Sequence, residues 1–226
     1  LEEVIPELGA DPAVRAVVIS GAGDRTFSVG ADIREFGKAA MEMGMRAFID
    51  QRLRVMSAIE NLPKPVVCAI RGPCVGGGLE LALSCHFRIA AEGARIGLPE
   101  IELGIVPAWS GTQRLTRTVG RAHALDLMLR ARKIGAEEAH RIGLVHQVCG
   151  PEELLDRAHA LAEELAEKPP LAVAGILEAV IRGGALTLEE GLALEYQAME
   201  RTAGSKDTIE GVRAFFEKRK PVFKGE

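Results

Sequence analysis

A chain of 226 residues with 47% hydrophobic and 27% charged side chains has the usage of a globular protein, either one large domain or one domain with an appendage. Its 28 basic and 32 acidic residues leave a formal charge of −4, spread without a long run of either sign, which argues against the basic surface that nucleic acid requires. The longest apolar runs, 65–70 and 171–177, fall far short of the ~20 residues that span a bilayer.

The chain opens on Leu1, and Leu1 to Leu8 reads as the end of a helix with no signal peptide in view, so further residues are expected ahead of it. Val14 to Ser20 is an apolar, β-branched run between Asp11-Pro12 and Gly21-Ala22-Gly23-Asp24, the pattern of a buried strand and a turn. Met45, Phe48, Ile49, Arg52, Leu53, Met56 and Ile59 recur at three- and four-residue steps and predict an amphipathic helix. A second strand is predicted over Pro65 to Ile70. Gly76-Gly77-Gly78 opens into helix-forming Leu79-Glu80-Leu81-Ala82-Leu83, and Phe87 to Ala91 and Arg95 to Gly97 read as short strands. This alternation implies an α/β fold. Beyond Gly111 apolar residues return at helical spacing over 122–129, 154–165, 171–181, 188–199 and 209–216, so the second half is predicted to be mostly helical.

Familiar chemical motifs are absent. Cys68, Cys74, Cys85 and Cys149 show no C-x-x-C pairing and no zinc-like spacing to a histidine, which suits reduced thiols in an intracellular protein. His86, His123, His140, His146 and His159 are scattered, so no metal site is expected. The Gly21-x-Gly23 turn has Thr26 where a dinucleotide fingerprint needs glycine, and the stretch from Gly72 to Gly78 lacks the Gly-Lys-Ser/Thr ending of a P-loop. No Gly-x-Ser-x-Gly elbow occurs.

Three consecutive glycines, however, leave backbone N–H groups unshielded at the positive end of a helix, a natural place to stabilise an oxyanion. Glu80 lies one helical turn beyond Gly77, and Glu100 follows Gly97-Leu98-Pro99, where proline stiffens a loop. Two carboxylates beside an oxyanion hole are equipped to move protons next to a carbonyl. Gly-Gly-Gly as a mark of tight packing and Glu as a solvated side chain are the competing readings.

The stretch from Ala69 to Ala82, Ala-Ile-Arg-Gly-Pro-Cys-Val-Gly-Gly-Gly-Leu-Glu-Leu-Ala, resembles the signature of the enoyl-CoA hydratase/isomerase (crotonase) family. Leu98-Pro99-Glu100-Ile101-Glu102-Leu103-Gly104-Ile105-Val106-Pro107 and Ser110-Gly111-Thr112-Gln113-Arg114-Leu115 continue the likeness. Phe27-Ser28-Val29-Gly30-Ala31-Asp32-Ile33 is similar to the family's first CoA loop, and Phe216-Glu217-Lys218-Arg219-Lys220-Pro221 to its closing helix. The resemblance spans nearly the whole chain. It implies a spiral of ββα units over residues 1–165, lacking the family's first hairpin, and a C-terminal helical trimerisation region over 166–226.

Carried over position by position, it puts the N–H groups of Ala31 and Gly77 in the oxyanion hole. Ala31, Asp32, Ile33 and Arg34 would line the CoA groove, with Arg34 near phosphate, and Phe215 and Lys218 would close over the CoA of the same or a neighbouring subunit. Glu80 and Glu100 would be the catalytic pair, adding water syn to a trans-2-enoyl-CoA to give a 3-hydroxyacyl-CoA with no metal or redox cofactor. Partners implied are an acyl-CoA thioester and further copies of the chain, as a trimer or dimer of trimers, with no nucleic acid and no membrane. The compartment implied is the cytoplasm, or the mitochondrial matrix where a targeting segment precedes Leu1. Two departures stand out: His86 occupies a position where the family commonly has Asp, read here as a tolerated second-shell or surface change, and Trp109 replaces a small residue, either reshaping the acyl pocket or simply filling core. The alternatives are a Δ3-Δ2-enoyl-CoA isomerase or another acyl-CoA reaction of the family, an RNA-binding relative with a basic comb around Arg46, Arg52 and Arg54, and a silent CoA-binding protein. Acyl length, branching and pathway stay open.

Overall fold

The computed structural model describes residues 1–226, save the side chains of Glu35, Phe36, Ala39 and Ala40. In chain order it comprises α1 (Val4–Ala10), β1 (Val17–Ser20), α2 (Ile33–Met43), α3 (Met45–Glu60), β2 (Val66–Ile70), β3 (Pro73–Val75), α4 (Gly77–Ser84), β4 (Phe87–Ala91) and β5 (Arg95–Gly97). A 3-10 turn at Glu100–Leu103 precedes α5 (Gly111–Leu129), β6 (Ile134–Gly135), α6 (Ala136–Arg141), β7 (Gln147–Cys149), α7 (Leu154–Ala166), α8 (Pro170–Gly183), α9 (Leu188–Ala203) and α10 (Lys206–Glu217).

Four strands form a parallel sheet in the order β1-β2-β4-β7, and β3-β5-β6 form a smaller one. Parallel strands need crossovers, and both faces of such a sheet are covered. That explains why β2 reads as an unbroken apolar run. Its alternate residues Val66, Cys68 and Ile70 join the main core with Leu79 and Leu83 of α4. Val67 and Ala69 face the other way, onto Leu154, Ala158 and Ala162 of α7.

The first strand begins later than its apolar run suggests. Asp11 Oδ1 accepts from the Ala13 N–H at 2.8 Å and the Asp11 carbonyl from Val14 at 3.1 Å, so the turn consumes the run's start. Val17 is the first residue in register, opposite Val66. The strands β3, β6 and β7 have only two or three residues, too short for periodicity to announce. Helix α5 starts at Gly111, well before the predicted 122–129, and carries a non-helical Gly120 inside it.

Helices α8 to α10 follow the predicted segments, α9 entered through a Thr187–Glu190 capping box. They hold few buried side chains and display Leu188, Phe215, Phe216 and Val180 at 68–80% exposure. Among the described residues no helix is long and apolar enough to cross a membrane.

Candidate functional site

The chain beyond β1 and the turn that follows β3 bring two glycines into touch. Gly30 has φ +85°, and a Cβ there would sit 2.8 Å from the Gly77 nitrogen. Any other residue at 30 would therefore cover that N–H. Gly77 is the first residue of α4, where N–H groups have no carbonyl one turn back. Among the described residues no hydrogen bond uses the N–H of Gly77 or of Ala31. Both residues line a cavity of about 490 Å³.

Trp109 forms one wall of that cavity. A Cβ on Gly77 would lie 2.1 Å from Trp109 Cζ3, so the glycine is also the seat of the indole ring. Phe48 stands across, its ring centroid 6.2 Å from that of Trp109, with Met56 and Leu81 adding apolar surface.

One turn into α4, Glu80 is 2% exposed. Its Oε1 accepts two backbone N–H groups, from Trp109 and Gly111, each at 2.8 Å. Burial pushes its carboxyl up to about 7; the Gly111 N–H opposes this, the neighbouring Glu100 charge adds to it, and the Trp109 N–H and Arg114 charge oppose it. Glu100, first residue of the 3-10 turn, is half-buried and also pushed up by burial, its own N–H pulling the other way. Its Oε2 is buried with no hydrogen-bond partner among the described residues.

A set of contacts holds the loop that bonds Glu80. Ser110, between the two donors, has φ +77°, a left-handed conformation that costs a non-glycine residue on the order of 1 kcal/mol or more. Arg114 Nη1 donates to its hydroxyl. The same guanidinium forks onto Glu60, at 2.9 Å to Oε1 and 2.6 Å to Oε2, with the Arg114 side chain only 10% exposed. Glu60 closes α3, so this pair ties α3 to α5 behind the site. His86 completes the line: Nδ1 accepts from Val66 N–H at 2.9 Å and Nε2 lies 3.0 Å from the Glu60 carbonyl. Burial lowers its pKa, in keeping with a neutral ring that accepts at one nitrogen and donates at the other. The sequence reading of His86 as a second-shell or surface change is thereby sharpened to a latch between β2 and α3.

Of the residues named from sequence, Ala31, Asp32, Gly77 and Trp109 share the cavity wall; Glu80 and Glu100 are not among its lining residues but lie close enough to each other for charge to couple them. Ile33 and Arg34 start α2 outside the lining, Arg34 exposed and paired with Asp32 at 2.8 Å. Phe215 and Lys218, at the end of α10, are not part of it either. All four cysteines are free, and among the described residues no metal-binding group of three His, Cys, Asp or Glu side chains exists.

A family model described as enoyl-CoA hydratase/isomerase matches residues 1–226. The chain belongs to the enoyl-CoA hydratase/isomerase family. It is 43% identical over 227 residues to a probable enoyl-CoA hydratase of Bacillus subtilis, covering all of this chain and 88% of that protein. A short-chain-enoyl-CoA hydratase of Clostridium acetobutylicum is 40% identical over 220 residues, with 97% and 84% covered. The fold is the family's crotonase fold: the crystal structure of an enoyl-CoA hydratase from Bacillus anthracis superposes with a TM-score of 0.94 at 41% identity, over 100% of this chain and 87% of that one. Within this hydratase/isomerase framework, Ser110, Arg114, Glu60 and His86 are the residues that motif reading left without a site role.

Proposed function

We propose that the protein is an enoyl-CoA hydratase that adds water syn across a trans-2-enoyl-CoA to give the 3-hydroxyacyl-CoA. The observation that carries this is the coupled pair of burial-raised carboxyls, Glu80 and Glu100, with Glu80 on the helix whose first residue, Gly77, keeps an N–H unused among the described residues. Ionised Glu80 orients a water and takes its proton while the water oxygen bonds the β carbon. Glu100 delivers a proton from its uncommitted side to the α carbon, and the proton that Glu80 has taken from the water passes to Glu100 to restore the pair. The thioester oxygen gathers enolate charge between the Ala31 and Gly77 N–H groups, donors worth about 3–4 kcal/mol each in comparable holes. One water is consumed and no group leaves. Because the carboxyls are coupled, their titrations belong to the pair.

In this reading Ala31, Asp32, Ile33 and Arg34 border the CoA, which is part of the substrate, and no resident cofactor takes part. Residues 1–165 form the catalytic core and 166–226 an assembly region that buries exposed Phe215 and Phe216 against further copies, bringing Phe215 and Lys218 to a CoA. Free thiols favour a reducing compartment such as the cytoplasm. The test is loss of the conjugated enoyl-thioester absorbance of crotonyl-CoA. The parent hydrates it, and Glu80→Gln and Glu100→Gln each lose ~100-fold or more in kcat. Isomerisation of a 3-enoyl-CoA without hydration would replace this reading by the isomerase.

A further inference from the structure

The cavity wall carries a cation that hydration of a plain hydrocarbon chain does not use. Arg52, on α3, is the one basic side chain among the cavity's lining residues and is half-buried there. Its guanidinium carbon lies 3.8 Å from the centroid of the Phe48 ring, which fixes the plane of the group. Its hydrogen bonds leave from Nη1 alone, to Gln51 Oε1 at 2.7 Å and to the Phe48 carbonyl at 3.4 Å. Among the described residues Nε and Nη2 donate to nothing.

That unused edge is the fork that a carboxylate engages with two parallel hydrogen bonds. The described acids of this cavity, Asp32 and Glu2, have other partners. Asp32 is paired with Arg34 at 2.8 Å, and Glu2 accepts from Gln51 at 3.2 Å and faces Arg54 at 3.9 Å. Among the described residues the acceptors of Arg52 are neutral carbonyls, and no carboxylate pairs with it. Phe48, Val55, Met56, Leu81 and Trp109 make much of the remaining wall apolar, and its other charged side chains are those two acids, each already facing an arginine, so a carboxylate entering there meets Arg52 as the one cationic side chain of the lining.

We infer that Arg52 selects enoyl-CoA substrates whose acyl chain ends in a carboxylate. This rests on the hydratase reading and names its substrate class. Water adds as before, hydroxyl to the β carbon and proton to the α carbon, and the distal carboxylate is a spectator that anchors the chain. Two thioesters differing only in that group test it: crotonyl-CoA and glutaconyl-CoA, which is crotonyl-CoA carrying a carboxylate on its terminal methyl. Any effect through the CoA phosphates cancels in their ratio.

The parent is expected to favour glutaconyl-CoA in kcat/KM. Arg52→Met, which keeps an apolar stem on Phe48, lowers the glutaconyl-to-crotonyl ratio by roughly 10- to 100-fold, the size of a charge-assisted contact. Arg52→Lys, with charge but no fork, falls between. A parent preferring crotonyl-CoA, or an Arg52→Met loss equal on both thioesters, overturns the assignment. Calorimetric binding of the saturated glutaryl-CoA and butyryl-CoA separates the two claims. Tighter glutaryl-CoA binding that Arg52→Met abolishes sustains the substrate class even if neither enoyl thioester is hydrated. Equal binding by a parent that hydrates crotonyl-CoA removes this inference and leaves the hydratase standing.

Discussion

Glu80 and Glu100 stand 20 residues apart in the chain and are held in opposite ways. Glu80 sits on a helix in the core, one oxygen gripped by two N–H groups whose loop is braced by Arg114, Glu60 and His86. Glu100 begins a four-residue turn, half-buried, with one buried oxygen that has no partner among the described residues. Burial raises both, yet only the first is restrained from behind. A carboxylate that orients a water must have a fixed lone pair, and one that hands over a proton must keep an oxygen uncommitted. The asymmetry of support follows the asymmetry of the proposed roles.

The comparison breaks most severely at Gly111. A Cβ there would meet Glu80 Oε1 at 2.8 Å and Leu98 Cδ1 at 3.0 Å, so Gly111→Ala displaces the held oxygen. Its kcat for crotonyl-CoA should fall on the order of 100-fold, the cost of an ångström-scale misplacement, with circular dichroism checking that the fold survives. A milder lesion lies farther back. Arg114→Met frees the Ser110 hydroxyl and removes a cation that lowers the Glu80 pKa, so kcat should fall roughly tenfold and the acid limb of the pH profile should move up.

Stability tells the two carboxyls apart as well. Glu80 has a folded pKa of about 7, above the unfolded ~4.3. The folded state therefore binds more proton than the unfolded one between these values, and stability is lost as pH rises through that window. Glu80→Gln removes the buried charge while its carbonyl still accepts both N–H groups. Melting at pH 8 should show a gain of about 3 kcal/mol that disappears near pH 4, and Glu100→Gln a smaller one. The smallest effect belongs to His86→Ala, which removes the latch to Val66 and Glu60: a loss of about 1–2 kcal/mol by denaturant melts, with kcat less affected than in Arg114→Met.

The held oxygen explains what sequence disclosed and what it did not. Glu80, Glu100 and Gly77 were legible as candidates because glycine, proline and helix spacing carry them in two short motifs. The brace was not, since Glu60 and Arg114 are ordinary charged residues 54 positions apart that meet only when α3 packs beside α5. Ser110-Gly111 at the mouth of a helix was the available signal, but the left-handed Ser110 leaves no mark in composition or period. The same holds for β3, β6 and β7, whose pairing depends on neighbours across the fold. Strand β2 was read nearly to the residue because burial on both faces writes itself as a continuous apolar run, and β4 was read at its observed bounds although the buried Arg88 interrupts its apolar pattern.

The central claim is that a burial-raised Glu80, coupled to Glu100, is the base, and the pH dependence of kcat/KM for crotonyl-CoA in the parent and in Glu100→Gln tests it most directly. The account predicts an acid limb near pH 7 in the parent that persists in the residual activity of Glu100→Gln, because burial is the main cause of the raised Glu80 carboxyl and Glu100 carries its proton when Glu80 acts as the base. An acid limb at an ordinary carboxylate value near 4.5 in either protein would contradict it.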